Sequence, residues 1–285
     1  MPDSCLHAGR YRTTEGGDIS VSDAGEFGLI ARIVARLSGG SALLGPGDDA
    51  AVVAARDGRV VASTDILVEG THFKRDWSSA YDVGRKAAAQ NLADIAAMGA
   101  RATALLVGLA APADLDLAWV DGLADGLRDE CAAVGAEVVG GDVSRSAVLT
   151  VAVTALGDLE GREPVTRSGA RPGDVVVVAG RLGYAAAGLA LLAAGREDAA
   201  LADAHRRPQV AYAAALRLAE AGATAMIDVS DGLVADLGHI AERSGVGIQL
   251  ASDDLPLPPE LVEAGLEVGV DPHSWVAGGG DDHAF

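Results

Sequence analysis

Residues 59–73 read RVVASTDILVEGTHF, an apolar stretch of strand character that ends in a turn carrying carboxylates. The same arrangement recurs in LLGPGDDAAVV at residues 43–53, AEVVGGDVS at 136–144 and ATAMIDVSDGL at 223–233. Side chains at strand ends converge on one edge of a sheet, so these segments are expected to gather several acids in one place. Like charges held together resist folding unless cations neutralise them. Oxygen ligands of this kind suit Mg²⁺, together with waters and substrate phosphates, and the pattern predicts a Mg²⁺-dependent, phosphate-handling enzyme.

The composition excludes several classes of function. A net charge of −19 argues against nucleic acid or an anionic membrane surface as the partner. Lys74 and Lys86 are the only lysines, so the chain has no P-loop G-x-x-x-x-G-K-[ST]. Cys5 and Cys131 are far apart with no C-x-x-C, which predicts a reduced, cytoplasmic protein. No apolar run reaches the length of a membrane span.

The 285 residues predict two domains with packed cores. Residues 1–24 are expected to form a disordered tail, followed by domains at 25–157 and 158–285, divided within a stretch rich in Gly, Pro and charge. The fold class is α+β in both halves, with a mixed sheet and helices in the first. The chain stops at Phe285 inside an apparent strand, which predicts a truncated C-terminus.

Helices are predicted at 26–37, 81–98, 120–134, 183–194, 208–221 and from Ser230, and strands at 50–54, 59–64, 103–109, 137–139, 148–156, 175–180 and 225–229.

Each motif also has a purely structural explanation. GPGDDA at residues 45–50 and GGD at 140–142 are also typical of turns. Ser230 in DVSDGL is a good helix N-cap, although that leaves Asp228 unexplained. Asn91 and Asp94 share a helix face that is either surface or site. The acids at residues 121, 125, 129 and 130 are expected to form a solvated helix face.

The order of the motifs is more specific than any one of them. GEFGLI, GDDAA, STDILVEGTHF, NLADIAAMGA, GGD, TRSGARPGD, DVSDGL and GGGDDHAF follow one another between residues 25 and 285, and together they resemble the thiamine-monophosphate kinase family. The resemblance implies transfer of the γ-phosphoryl group of ATP to thiamine monophosphate. It also implies the two-domain, α/β sandwich-type ATP-binding fold shared with aminoimidazole ribonucleotide synthetase and selenophosphate synthetase. A homodimer packed through the N-terminal domains is a further implication.

The resemblance also implies roles for individual residues. It predicts binding of several Mg²⁺ ions, nucleotide contacts at Gly141, Asp142, Arg167 and Ser230, and substrate contacts at His72 and Asp281. The family more often has Glu at the position of Asp281, and its C-terminal segment supplies an aromatic residue against the thiamine rings that nothing here replaces. Catalytic roles are expected for Asp65, Asp142, Arg167 and Asp231. The predicted Mg²⁺ ligands are Asp49, Ser63, Thr64, Asp65, Asp94, Asp142, Asp228 and Asp231.

Two other functions remain open on the sequence. One is a different ATP-dependent enzyme of the same superfamily with another acceptor, although STDILVEGTHF and NLADIAAMGA favour the thiamine branch. The other is a Mg²⁺–ATP-binding protein without turnover.

Overall fold

The computed structural model describes residues 20–37, 42–44, 50–196 and 198–285. Asp49 and residues 1–19 of the predicted tail lie outside them. The helices are α1 (Val21–Leu37), α2 (Ala80–Ala97), α3 (Leu117–Val134), α4 (Tyr184–Ala193), α5 (Ala199–Arg206), α6 (Tyr212–Glu220), α7 (Leu233–Ser244), α8 (Pro259–Val268) and α9 (Pro272–Gly278), with a 3₁₀ turn at Ser252–Asp254. The strands are β1 (Val61–Val68), β2 (Arg101–Ala111), β3 (Glu137–Arg145) and β4 (Thr150–Asp158).

The four strands form one mixed sheet in the order β1-β4-β2-β3. Strand β4 pairs antiparallel with both β1 and β2, whereas β2 and β3 run parallel. Burial alternates along both strands, between buried and half-buried residues in β4 and between half-buried and exposed residues over most of β1, so the sheet has one face towards the core and one open face. The predicted mixed sheet is therefore confirmed.

Helices α2 and α3 cover the buried face of the sheet. Helix α2 begins at a capping box in which Ser79 and Asp82 each accept a hydrogen bond from the other's backbone N–H. The two helices lie close because Gly84 and Gly126 face each other's backbone: a Cβ on Gly84 would lie 2.2 Å from the Leu123 carbonyl oxygen. This close contact packs α2 directly against α3.

The second half packs around its own apolar cluster, which lies between Leu182 and Ala284, whereas the first cluster lies between Leu29 and Leu159. The predicted strands at 175–180 and 225–229 are wrong, since neither segment forms a strand. Val175 is 83% exposed, and the backbone pairing nearby is limited to isolated bonds such as Ala179 N to Phe285 O. A run of valines favours a strand, but a strand also needs a hydrogen-bonded neighbour along its length. The boundary near residue 158 stays a prediction.

Other element boundaries differ from the predictions. Helix α1 begins at Val21, within the predicted tail, and is interrupted at Gly25, where φ is 65°. The predicted strand at 50–54 is reduced to a single bridge between Leu44 and Val52. Helix α5 was not predicted, and α6 begins four residues later than expected. The expected solvated face of α3 is wrong at Glu130, which is buried against Arg85 and Tyr212.

A third cluster joins the two halves. Ala93 and Ala97 of α2 pack against Met226 and Phe285 from the second half. Polar contacts cross the same boundary, including the Arg207–Asp82 ion pair at 3.1 Å. The ends of β1 and α2 therefore face the second half of the chain across a packed junction.

Candidate active site at the junction of the two halves

Two polar residues of α2 bind β1 at the STD motif. Ser63 donates its hydroxyl proton to Asp94 at 2.5 Å, and the Asp65 backbone N–H donates to the Asn91 side chain at 3.0 Å. Asn91 is buried and also donates to the Ala87 carbonyl. The question left open for Asn91 and Asp94 is thereby answered, because both residues lie at the junction rather than on the surface.

Asp228 reaches the same region from the second half. It is buried, and its Oδ2 lies 2.9 Å from Nδ1 of His283. Burial raises the pKa of Asp94 to about 6, the Ser63 hydrogen bond opposes the shift, and the charges of Asp228 and Asp65 add to it. Three of the predicted acids thus lie close enough to repel one another.

A cavity of about 430 Å³ opens at this point, between the start of β1, the end of α2 and the second half. Asp94 and Asp228 line it together with Arg167 and Arg243. The loop of Arg167 is anchored by Ser244, which donates to the Arg167 carbonyl and accepts from the N–H groups of Gly169 and Ala170. One cavity therefore combines carboxylates, which attract a cation, with guanidinium groups, which attract phosphate.

The DVSDGL turn is organised by Asp236 rather than by Ser230. Helix α7 begins after Gly232, so the predicted N-cap role of Ser230 is wrong. The N–H groups of residues 230, 231 and 232 all donate to Oδ2 of Asp236, at 3.0, 3.0 and 3.1 Å. Among the described residues, Asp231, Asp236 and His239 form the one group of three with ligand atoms within 4.8 Å of one another. Asp231 itself is exposed, in the turn that follows the cavity-lining residue Asp228.

Asp142 lies apart from this group. It is exposed on β3 opposite Gly108, and it accepts a hydrogen bond from Ser144 at 3.0 Å. Three strand spacings separate β3 from β1, or about 14 Å. Gly141 has a structural reason to be glycine, since a Cβ there would lie 1.9 Å from the Val107 carbonyl oxygen.

The remaining predicted residues lie around the ends of β1 and the second half. His72 accepts the Val68 N–H on Nδ1 at 3.0 Å, and its ring is exposed. Thr64 is on the open face, where it donates to the Val153 carbonyl and accepts from Thr154. Asp281 pairs with Lys86 at 2.9 Å. Asp49 lies outside the described residues.

Four residues near the site were missed by sequence reasoning: Lys86, Asp236, Arg243 and His283. Lys86 and His283 act through partners distant in sequence, Asp236 acts through backbone groups and Arg243 lines the cavity from α7, so no local motif marks any of them. The one available signal was the GGGDDHAF segment, in which His283 directly follows the predicted Asp281 and its neighbour. In the part of the chain that the structure describes, no helix combines the length and apolarity needed to cross a membrane. The predicted cytoplasmic location stays a prediction.

Comparisons with known proteins agree with this architecture. Residues 47–159 match the family model "AIR synthase related protein, N-terminal domain", and residues 171–272 match the corresponding C-terminal domain. The chain is 52% identical over 269 residues to the thiamine-monophosphate kinase of Mycobacterium tuberculosis, covering 93% of this chain and 81% of that protein. It is 38% identical to the Escherichia coli K12 thiamine-monophosphate kinase, covering 91% and 81%.

Solved structures give the same result. The crystal structure of thiamine-monophosphate kinase from Stenotrophomonas maltophilia K279a matches with a TM-score of 0.79 at 37% identity, over 90% of this chain and 83% of that one. AaThiL complexed with AMPPCP and TMP matches with a TM-score of 0.75 at 36% identity, over 93% and 85%. Hydrogenase maturation protein HypE in complex with ATP shares the fold, with a TM-score of 0.73 at 21% identity. The chain belongs to the thiamine-monophosphate kinase family, within the group of AIR synthase related proteins.

Proposed function

We propose that this chain transfers the γ-phosphoryl group of ATP to thiamine monophosphate, giving thiamine diphosphate and ADP. The observation that carries the proposal is the cavity at the junction, where Asp94 and Asp228 face Arg167. The named activity of the relatives and the AMPPCP and TMP of the AaThiL complex support the same substrates.

The donor set fits Mg²⁺. Asp65, Asp94 and Asp228 supply carboxylate oxygens and Ser63 adds a hydroxyl, and burial raises the pKa of Asp94, with the charges of Asp228 and Asp65 adding to the shift. Because these acids do not form a tight cluster in the described chain, a Mg²⁺ ion there would keep several waters, as it commonly does. Mg²⁺ bound to them would supply charge neutralisation for the phosphates of both substrates.

The protein's own groups position the phosphates. Arg167 and Arg243 line the cavity, and the anchoring of the Arg167 loop by Ser244 limits the freedom lost when a phosphate binds. The acceptor oxygen belongs to a phosphate monoester, which is largely ionised near neutral pH, its second pKa being about 6. The site therefore needs no strong general base, and positioning with charge neutralisation accounts for the transfer.

The test is ADP release from ATP and Mg²⁺, with and without thiamine monophosphate, together with identification of the product. We expect thiamine diphosphate from the wild type and loss of turnover in Asp65→Asn, with circular dichroism unchanged. Asp114→Asn removes an exposed acid remote from the cavity and serves as the matched control. ATP hydrolysis without thiamine diphosphate would point to a different acceptor, and nucleotide binding without turnover to a non-catalytic protein.

Asp142 is proposed to bind a cation distinct from the one at Asp94. The three strand spacings, about 14 Å, between β3 and β1 support two separate ions. The proposal is therefore that each chain binds several Mg²⁺ ions. Asp142→Asn is expected to abolish turnover while leaving the Mg²⁺ affinity of the Asp94 site unchanged. Equal loss of that affinity in Asp65→Asn and Asp142→Asn would contradict two separate ions.

A homodimer through the open face of the sheet is also proposed. Ile66 is 52% exposed and Leu106 38%, and register places both on that face beside Thr64 and Thr154. Apolar side chains on an open sheet face are typical of an interface. Sedimentation velocity is expected to show a dimer that Ile66→Lys dissociates. Leu266→Lys, on an exposed leucine of α8, should leave it intact.

A further inference from the structure

His283 is a buried histidine to which neither the sequence analysis nor the proposed reaction assigns a role. It is 4% exposed, and Nδ1 lies 2.9 Å from Oδ2 of Asp228, which is buried to the same degree. A buried carboxylate is costly unless a donor satisfies it, and the described chain gives the Asp228 side chain no other hydrogen bond. The imidazole N–H is therefore the group that fixes Asp228.

The backbone holds the ring in place from both sides. The His283 N–H donates to the Val229 carbonyl at 2.9 Å, and the Val229 N–H donates to the Ala284 carbonyl at 2.7 Å. Asp282, which directly precedes His283, accepts hydrogen bonds from the N–H groups of Gly183 and Ala185 at the start of α4. His283 has φ 49°, a left-handed conformation that costs energy for a residue with a side chain. A residue keeps such a strained backbone conformation only where surrounding contacts enforce it, and the hydrogen bonds of residues 282–284 enforce it here.

The two ring nitrogens differ in their surroundings. When Nδ1 carries the proton towards Asp228, Nε2 is left as an acceptor, and it has no hydrogen-bond partner among the described residues although it is buried. The ring therefore satisfies one group only, Oδ2 of Asp228. Asp228 also lines the cavity, and its second oxygen, Oδ1, has no hydrogen bond to the described residues.

We propose that His283 is a positioning residue that fixes Asp228 so that Oδ1 is presented to a divalent cation in the cavity. The inference rests on the proposed function, since it takes Mg²⁺ as that cation. The inference goes beyond the proposed function because it assigns a role to a residue that is not itself a proposed ligand of the cation or of the phosphates. Outer partners of this kind typically change metal affinity 10- to 100-fold when removed.

The test is direct titration of Mg²⁺ by isothermal calorimetry, without nucleotide, on the wild type and two variants of His283. In His283→Leu, which removes the donor, we expect the dissociation constant for Mg²⁺ to rise by about 10- to 100-fold. His283→Asn places an amide N–H near the position of Nδ1 and tolerates the left-handed backbone, so the affinity should stay within about 3-fold of the wild type. The control is His273→Leu, which removes the exposed His273–Asp271 pair and should change nothing.

Unchanged Mg²⁺ affinity in His283→Leu, or equal losses in both variants, would overturn the proposal. Long-range ¹H–¹⁵N NMR on the wild type tests it without any substitution, even where His283→Leu does not fold. The His283 ring should carry a proton on Nδ1, and protonation on Nε2 alone would exclude donation to Asp228. Thiamine diphosphate formation in the same wild-type sample separates the two proposals. If the wild type forms thiamine diphosphate and His283→Leu binds Mg²⁺ as tightly as the wild type, only the positioning role is overturned. If the wild type shows neither turnover nor Mg²⁺ binding, the proposed function is overturned as well.

Discussion

The ammonium group of Lys86 lies 2.9 Å from Oδ2 of Asp281, and this ion pair joins helix α2 to the last described segment of the second half. The Lys86 side chain is only 4% exposed, whereas that of Asp281 is 46% exposed. Burial by itself would raise the pKa of Asp281, but the charge and hydrogen bond of Lys86 outweigh it and the pKa is lowered. A predicted substrate contact is thus held in place from the other half of the chain.

Lys86→Met should therefore destabilise the protein and weaken substrate binding together. Removing one partner of a buried ion pair costs about 3–5 kcal/mol, and the partial exposure of Asp281 reduces our expectation to roughly 1–3 kcal/mol. Urea unfolding measures the stability, and the KM for thiamine monophosphate measures the positioning of Asp281. A matched control is Lys74→Met, because Lys74 is exposed and its ammonium group lies 4.1 Å from the centre of the Trp77 ring. Equal effects of the two substitutions would contradict a special role for Lys86.

Much of the first half follows from its sequence. Periodic apolar residues predict α2 and α3, and the recurring acid-bearing segments predict a cluster of carboxylates, of which Asp65 and Asp228 lie close enough to Asp94 for their charges to add to its raised pKa. These predictions depend on local pattern, although the strand-end rule does not describe the outcome, since Asp65 lies within β1, Asp94 on α2 and Asp228 outside any strand.

The failures have a different physical origin. Whether residues 175–178 form a strand depends on a neighbour that pairs with them, and the described chain provides only isolated bonds there. The sequence places Glu130 on a polar helix face, yet Arg85 and Tyr212 approach from other elements and bury it. His283 binds Asp228 across 55 residues. In each case the deciding interaction is long-range.

A pH-dependent loss of stability is expected from His205. Burial, followed by the charge of Lys86, lowers the pKa of His205 to about 4 from 6.5. Between these values the unfolded chain binds a proton that the native state does not, so stability falls as the pH falls from 6.5 to 4. The full loss is up to roughly 3 kcal/mol, at 1.36 kcal/mol per pKa unit.

Comparison of the wild type with His205→Gln isolates this effect. It has to be a comparison, because burial raises the pKa values of Asp94 and Asp282 to about 6, which acts in the opposite direction in the same pH range. The difference in free energy of unfolding between the two proteins should change in favour of His205→Gln as the pH falls from 6.5 to 4. His273→Gln, at an exposed histidine, should follow the wild type throughout.

The β2–β3 pairing should be unable to accept a side chain at Gly141. A Cβ there would lie 1.9 Å from the Val107 carbonyl oxygen, so Gly141→Ala must displace backbone and is expected to cost at least about 3 kcal/mol. At Gly108, on the neighbouring strand, the nearest atom would be the Ala152 Cβ at 3.7 Å. Gly108→Ala should therefore stay within about 1 kcal/mol of the wild type in thermal unfolding. Similar stability of the two variants would show that the strands can separate without cost.

Asp94→Asn should stabilise the metal-free protein while removing its response to Mg²⁺. The native pKa of Asp94 is raised to about 6 from 3.8, so above pH 6 the ionised carboxylate opposes folding, and protonation below pH 6 relieves the repulsion. Asparagine removes that charge and can still accept the Ser63 hydrogen bond. At pH 7.5 with a chelator we expect a gain of roughly 1–3 kcal/mol in the free energy of unfolding.

The wild type should gain stability on addition of Mg²⁺, whereas Asp94→Asn should not, since the ligand is lost. The exposed-acid control Asp114→Asn should respond to Mg²⁺ like the wild type. A metal-free Asp94→Asn protein less stable than the wild type would mean that the carboxylate is already neutralised by the protein itself, which would remove the electrostatic argument for a cation at this junction.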